Sequence, residues 1–277
     1  MLRVVGGLDR PPRDRRAAIV IPARFSSVRF PGKPLSSVRG VGGQVKTLVE
    51  RSWEAACAVS SVTEIWIATD DLRIADAAIA FGANVVLTDP ACRNGTERCW
   101  DAVATAGIDA EVVINFQGDA PLTPPLAVEA IIAAMHADPS LPVVTPMVRC
   151  SALLHDRLKD EARHGRVGGT TVVFDHARNA LYFSKRVIPH VPDRMVDAPI
   201  YLHVGLYGYR RQALADYAAL PPPLIEGVEG LEQLRFLHAG IPVRMIEVAD
   251  PPGGLWEVNN PADIVTVERA LSERRLG

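Results

Sequence analysis

The feature that most restricts the fold is a regular alternation of short apolar runs with segments of helical periodicity through the first half of the chain. Residues 17–23 form a β-type run containing a single proline, and a polar stretch with several Gly and Pro follows over 24–43. Val49, Trp53 and Ala56 recur at helical spacing within 46–59, and residues 64–69 (EIWIAT) read as a buried strand. The pattern continues with helices over 71–81, 96–106 and 124–137 and strands over 84–88, 111–116 and 142–148. This alternation predicts an α/β fold, a mostly parallel central sheet with flanking helices.

Short strands follow at 170–174, 180–183 and 203–209, then helices at 212–219 and 230–239, a strand at 243–248 and a closing helix from Pro261. Ile264, Val267 and Leu271 give that last helix one apolar face. No linker precedes this region, so a small β-rich elaboration of a single domain over 17–277 is expected, behind a flexible leader at 1–16. The leader is too polar and Arg-rich for a signal peptide, and an arm for a partner accounts for it equally. A net charge of −2 supplies no general attraction to nucleic acid or to an anionic membrane. No apolar run approaches the roughly 20 residues of a membrane span. A cytoplasmic protein without nucleic-acid or membrane partners is the expectation. Cys57, Cys92, Cys99 and Cys150 lack paired C-x-x-C spacing and read as reduced, structural thiols.

Ligands of open parallel sheets bind beyond the carboxyl ends of the strands, so the loops leaving those ends come first. The loop after the first strand brings Arg24, Arg29 and Lys33 together with Gly32, Pro31 and Pro34. Such cations suit a polyphosphate and the charge that builds on a departing pyrophosphate. A solvated basic loop explains the same residues, since neither a P-loop nor a G-x-G-x-x-G fingerprint is present. A second loop, NFQGDAPL at 115–122, places Asp119 directly after an apolar strand, where a carboxylate can hold Mg²⁺ against phosphate oxygens. A turn aspartate is the plainer alternative. Thr123 before Pro124 reads as a helix cap with proline at the first helical position.

Seven blocks in order carry a resemblance: IPARFSSVRFPGKPL (21–35), IATDDLRIADAAIAFGANVVLT (67–88), NGTER (94–98), NFQGDAPL (115–122), ALYFSKRVIP (180–189), HVGLYGYR (203–210) and LEQLRFLHAGIPV (231–243). Together the blocks resemble the 3-deoxy-manno-octulosonate (KDO) cytidylyltransferase family over about residues 17–271. The resemblance implies a Rossmann-like nucleotidyltransferase fold and transfer of CMP from CTP to an acidic sugar with release of pyrophosphate. It also implies Mg²⁺ as cofactor and a homodimer, with 180–197 contributing to the interface.

Residue by residue, the resemblance implies that Arg24 and Lys33 bind the CTP phosphates and act in catalysis with Asp119. It implies CTP contacts from Pro22, Ala23, Asn94, Gly95, Arg98 and Gln117. Without it, Arg98 reads as an exposed charge in a first helical turn. Asp119 corresponds to one magnesium ligand of the family. The second family ligand is an Asp, and Asn259 stands in its place here. An amide oxygen coordinates Mg²⁺ without contributing charge. Asn260 before Pro261 reads as a helix cap, which is the structural explanation of this asparagine pair. The acceptor set corresponds to His203, Tyr207, Glu232 and Gln233, together with Lys185 where the family has Arg. Lys keeps the charge but not the two-pronged geometry that suits a carboxylate. Taken alone, His203 and Tyr207 are ordinary strand residues sharing one face, and Glu232 and Gln233 a solvated helix face. Asn259 and Lys185 leave the acceptor open among KDO, an amino-ulosonic or sialic-type acid and a phosphonic acid. A nucleotide-binding protein without turnover is the alternative from another class.

Overall fold

Strand β1 (Ala17–Ala23) lies inside the sheet, and every residue along it except Pro22 is buried. It pairs in parallel with β4 (Glu64–Thr69) on one side and β6 (Val112–Asn115) on the other, and β5 (Asn84–Leu87) extends the parallel set beyond β4. Alternate residues of β1 serve opposite faces. Ile19 and Ile21 pack with α1 (Leu48–Cys57), α2 (Leu72–Ala80) and α4 (Pro125–Ala137), while Ala18 and Val20 pack with α3 (Gly95–Thr105) and α6 (Arg211–Ala219). The result is the helix–sheet–helix layering expected from the alternation. The computed structural model describes residues 16–26, 30–192, 198–250, 254 and 257–274. Residues 1–15 of the expected leader lie outside the described residues, as does Arg29. Arg16 is pinned to the fold, its guanidinium 2.9 Å from Asp109 and its carbonyl accepting from the amides of Glu111 and Val112.

Helix starts follow local chemistry. Thr47, Asp71 and Asn94 cap α1, α2 and α3 by accepting from the backbone amides of Glu50, Arg73 and Glu97. Two expected caps differ. Helix α4 begins at Pro125 with Pro124 in the cap position, and the Thr123 hydroxyl donates to the Ala120 carbonyl at 2.9 Å instead. Helix α9 (Asp263–Glu273) begins beyond Asn260, and the Asp263 carboxylate reaches back to the amides of Asn259 (2.8 Å) and Asn260 (2.7 Å).

In the second half the sheet becomes mixed. Strand β11 (Tyr207–Arg210) is inserted antiparallel between β6 and β7 (Val143–Arg149), and β12 (Val243–Glu247) pairs in parallel with β7. The β-rich elaboration is β8 (Thr171–Phe174), β9 (Ala180–Ser184) and β10 (Tyr201–His203), joined to β7 through β10. The single strand expected over 203–209 is therefore two, broken at 204–206, where the Thr145 hydroxyl donates to the Leu206 carbonyl at 2.7 Å. A hairpin of β2 (Ser37–Arg39) and β3 (Val45–Thr47) occupies part of the polar stretch, and helices α5 (Ala152–Arg163) and α7 (Leu224–Glu229) were not anticipated. The helix expected over 230–239 is reduced to α8 (Leu234–His238) after a turn.

Val267, Ala270 and Leu271 of α9 pack on Val38, Leu48, Leu122 and Val258, with Ile264 against them. This cluster draws the chain's end onto the loop that carries Asp119. The four cysteines are unpaired with one another, and no helix among the described residues is long and apolar enough to cross a membrane.

Candidate active site

At the carboxyl ends of β1 and β6 the chain encloses a cavity of about 290 Å³. Pro22, Ala23, Arg24 and Lys33 enter it from the first loop, Asn94, Gly95 and Arg98 from the start of α3, and Gln117 and Asp119 from the loop after β6. Asn259 arrives from the far end of the sequence, so every residue expected to contact nucleotide or metal lines one wall or another. Pro34 of the cationic loop and Gly118 of the NFQGDAPL block also line it, as do Cys92 and Arg93, for which the sequence suggested no contact with a ligand. Burial raises the Cys92 thiol to about 11, so it stays protonated at neutral pH.

The loops hold each other at close range. A methyl group on Gly118 would lie 2.8 Å from the Pro22 carbonyl oxygen, so only glycine lets the β6 loop cross the end of β1 at this distance. Ser52 of α1 fixes the crossing by donating to the Gly118 carbonyl at 3.0 Å. Gly32 takes a left-handed conformation (φ 70°) and its amide donates to the Phe25 carbonyl at 3.0 Å, which closes the first loop just before Lys33.

The cations differ in their partners. Arg24 is exposed and makes no ion pair among the described residues, so its charge is available to a ligand. Arg98 is 2 % exposed, which corrects the reading of a surface helix charge; Asp70 holds it at 3.0 Å and the Thr88 hydroxyl accepts from it. Asp70 and Thr88 were missed from sequence, although the Asp70-Asp71 pair directly after β4 was a visible signal. Lys33 donates to Asp119 and, at 2.9 Å, to the Val258 carbonyl.

That last arrangement tests whether a magnesium ion suits the residues present. Two oxygens, the Asp119 carboxylate and the Val258 carbonyl, already cradle a cation, the Lys33 ammonium. The Val258 amide donates to the Asp119 carbonyl at 2.9 Å and brings Asn259 to the same cavity. No cluster of three His, Cys, Asp or Glu side chains occurs among the described residues. Mg²⁺ does not require one, because it binds through one or two carboxylates and completes its shell with phosphates and water. An oxygen-only pair of Asp119 and Asn259 fits that habit.

The acceptor candidates gather on the α3 face of the sheet. His203 and Tyr207 are both buried with ring centroids 5.4 Å apart, so they share a face although they sit on different strands. Thr145 donates to Leu206 and therefore accepts from His203 Nε2 at 2.9 Å, which fixes the tautomer. Burial pushes the His203 pKa down to about 3, so the ring is neutral at physiological pH. Glu232 and Gln233 lie on the turn before α8, not on a solvated helix face. Glu232 Oε2 accepts from the Thr96 amide at 3.1 Å, and burial raises its carboxyl pKa above the usual range. Gln233 is 2 % exposed. Lys185 follows β9, where Glu229 accepts from its amide (3.0 Å) and from the Ser184 hydroxyl (2.8 Å). Its ammonium lies over Gly230, next to the turn that carries Glu232 and Gln233.

Beneath both sets lies Arg235, which sequence reading passed over. It is 1 % exposed, takes Glu226 in two hydrogen bonds of 2.7 and 2.6 Å, and reaches Glu97 of α3 at 2.9 Å. It thus fastens α7 and α8 to the helix whose start forms part of the cavity.

The family model described as Cytidylyltransferase matches residues 18–246. The 3-deoxy-manno-octulosonate cytidylyltransferase of Maricaulis maris (strain MCS10) is 47% identical over 253 residues, 91% of this chain and 96% of that protein. The Escherichia coli protein of the same name is 38% identical over 261 residues, covering 94% and 98%. A solved structure of CMP:2-keto-3-deoxy-manno-octonic acid synthetase complexed with CTP has a TM-score of 0.79 to this chain at 37% identity, covering 94% of this chain and 99% of that one. Similarity of this extent in sequence and fold, in a chain whose anticipated nucleotide residues meet in one cavity, shows that it belongs to the 3-deoxy-manno-octulosonate cytidylyltransferase family.

Proposed function

We propose that this chain activates KDO with CTP, forming CMP-KDO and releasing pyrophosphate. The observation that carries this reading is the single cavity shared by Arg24, Lys33, Asp119 and Asn259, beside the acceptor set. The acceptor's anomeric hydroxyl oxygen forms a bond to the α-phosphorus of CTP as the bond from that phosphorus to the α,β-bridging oxygen breaks. The bridging oxygen leaves with pyrophosphate, and the hydroxyl proton passes to water. An in-line displacement of this kind depends on positioning and on charge stabilisation more than on covalent chemistry by the protein.

Arg24 meets the triphosphate without giving up an existing partner. Lys33 exchanges Asp119 for phosphate oxygens and offsets the charge of the leaving group. Asp119 and Asn259 are the residues that would hold magnesium, which supplies Lewis-acid polarisation of phosphate oxygens when bound. His203, neutral and locked by Thr145, presents a fixed ring to the acceptor, and Lys185 offers a cation to its carboxylate. A homodimer and a cytoplasmic location complete the proposal, which suits two charged, water-soluble substrates.

The test is a panel of acceptors incubated with CTP: KDO, an amino-ulosonic acid, a sialic acid and a phosphonic acid, with CMP esters and pyrophosphate read by mass spectrometry. KDO is expected to give the highest kcat/KM. Turnover of another acid in its place overturns the assignment of the acceptor, and turnover of none overturns the assignment of the reaction.

A further inference from the structure

Asn115 ends β6 with its side chain fully buried, yet its Nδ2 has no hydrogen-bond partner among the described residues. Its Oδ1 accepts from Gln117 Nε2 at 3.3 Å, which orients the amide so that the donor end faces elsewhere. It faces the start of α3. A methyl group on Gly95 would lie 3.4 Å from Asn115 Nδ2, 3.5 Å from Pro22 Cγ and 3.7 Å from Glu232 Oε1. Gly95 has no positive φ, so its backbone does not call for glycine. What glycine provides is open space between a donor and an acceptor, on the wall of the cavity.

The two groups are complementary. Glu232 Oε2 is held by the Thr96 amide at 3.1 Å, leaving Oε1 toward the gap. A buried NH₂ without a partner is costly, and its persistence here marks a position completed by a ligand. The group that accepts from an amide and donates to a carboxylate at once is a hydroxyl. Gln233, next to Glu232, is a second buried amide with an unpartnered Nε2. Opposite Asn115 across the strand pair stands Tyr207.

We propose that Asn115 and Glu232, facing each other across the space over Gly95, form a pair that reads a hydroxyl group of a polyol substrate, the hydroxyl accepting from Asn115 Nδ2 and donating to Glu232 Oε1. The cavity reading above supplies the two sources of such a group, the ribose of CTP and the acceptor sugar.

The experiment is calorimetric binding of CTP, 2′-deoxy-CTP and 3′-deoxy-CTP, and of KDO and its monodeoxy analogues, to the wild type and to Asn115→Leu, with Tm measured alongside. Asn115→Leu removes one unsatisfied buried donor and one long hydrogen bond from Gln117, effects of opposite sign, so Tm is expected to change little. Affinity for the substrate that carries the hydroxyl is expected to fall about 10–100-fold. The analogue lacking that hydroxyl should bind both proteins alike. A loss confined to the nucleotide series names the ribose, a loss confined to the acid series names the acceptor, and either supports the proposal.

A lower Tm with unchanged affinities makes Asn115 a structural residue and overturns it. So does a loss of equal size for every parent and deoxy analogue. Gly95→Ala, which fills the space while Asn115 stays in place, should reproduce the loss and serves as the reading if Asn115→Leu does not fold. A wild type that binds no CTP overturns the nucleotide assignment of the cavity itself, whereas normal CTP and acid binding by both variants overturns this proposal alone.

Discussion

Asp119→Asn is expected to lower kcat by roughly 10²–10³-fold, the range found when one group that stabilises transition-state charge is removed. The same substitution should change the free energy of unfolding by no more than about 1 kcal/mol, because the side chain keeps its shape and an oxygen for Lys33, so one charge-assisted hydrogen bond becomes an ordinary one. The amide keeps an oxygen that accepts from Lys33, so the loop retains its anchor through Lys33 and the Val258 carbonyl. What is lost is the one carboxylate that lines the cavity among the described residues. Steady-state kinetics with CTP and KDO, set beside urea unfolding, checks both halves. A variant that unfolds easily and loses activity in proportion would assign Asp119 to the scaffold.

Arg235→Met should have the opposite profile, with stability lost first. Cutting one member out of a buried ionic network costs about 3–5 kcal/mol, because Glu226, mostly buried, is left without its cation and Glu97 keeps only Arg93. For a chain of this size that is on the order of 10 °C in Tm. Burial alone would raise the Glu97 pKa, but hydrogen bonds from Arg93 and Arg235 outweigh it and hold the carboxyl below its usual range. A depressed folded-state pKa contributes stability above the unfolded value, about 4.3, and loses it as pH falls through the folded value. Without Arg235 the Glu97 carboxyl, held by Arg93 alone, titrates higher, and protonation then relieves part of the uncompensated negative charge. The stability gap between wild type and variant should therefore be widest near pH 7 and narrower near pH 4.5. Urea unfolding at the two pH values measures it, and a gap independent of pH would deny Glu97 its part in the network.

The first half of the fold was legible because its signals are local. Strand β1 is buried on both faces and reads as a continuous apolar run, and α1, α2 and α3 each announce a cap. The missed elements lack such signals. Helix α5 buries only Leu158, so no apolar period marks it, and α7 leaves Leu224 and Val228 exposed. In the β2–β3 hairpin only Val38 is buried. Residues 203–209 alternate as one strand would, and the break at 204–206 depends on Thr145, which lies far away in sequence.

The site divides along the same line. Arg24, Lys33 and Asp119 were visible as residue types in loops after strands, which is local information. That Asn259 would meet Asp119 came only from the family resemblance, since the contact depends on how α9 packs. The pairing of Asp70 with Arg98, that of Arg235 with Glu97 and the unpartnered Nδ2 of Asn115 were not legible for a further reason. Each is defined by what surrounds it in space, and a single sequence carries no trace of a bond between residues dozens of positions apart.

Transfer of the cytidylyl group in the cavity at the end of β1 can be followed by the fate of each phosphate. Two preparations of CTP, one labelled with ³²P at the α-phosphate and one at the γ-phosphate, test it most directly when each is incubated with KDO and Mg²⁺. The α-label is expected in the sugar product in a one-to-one ratio with pyrophosphate, and all γ-label in pyrophosphate. Label from the γ-position in the sugar, or α-label that stays with free nucleotide, would contradict it.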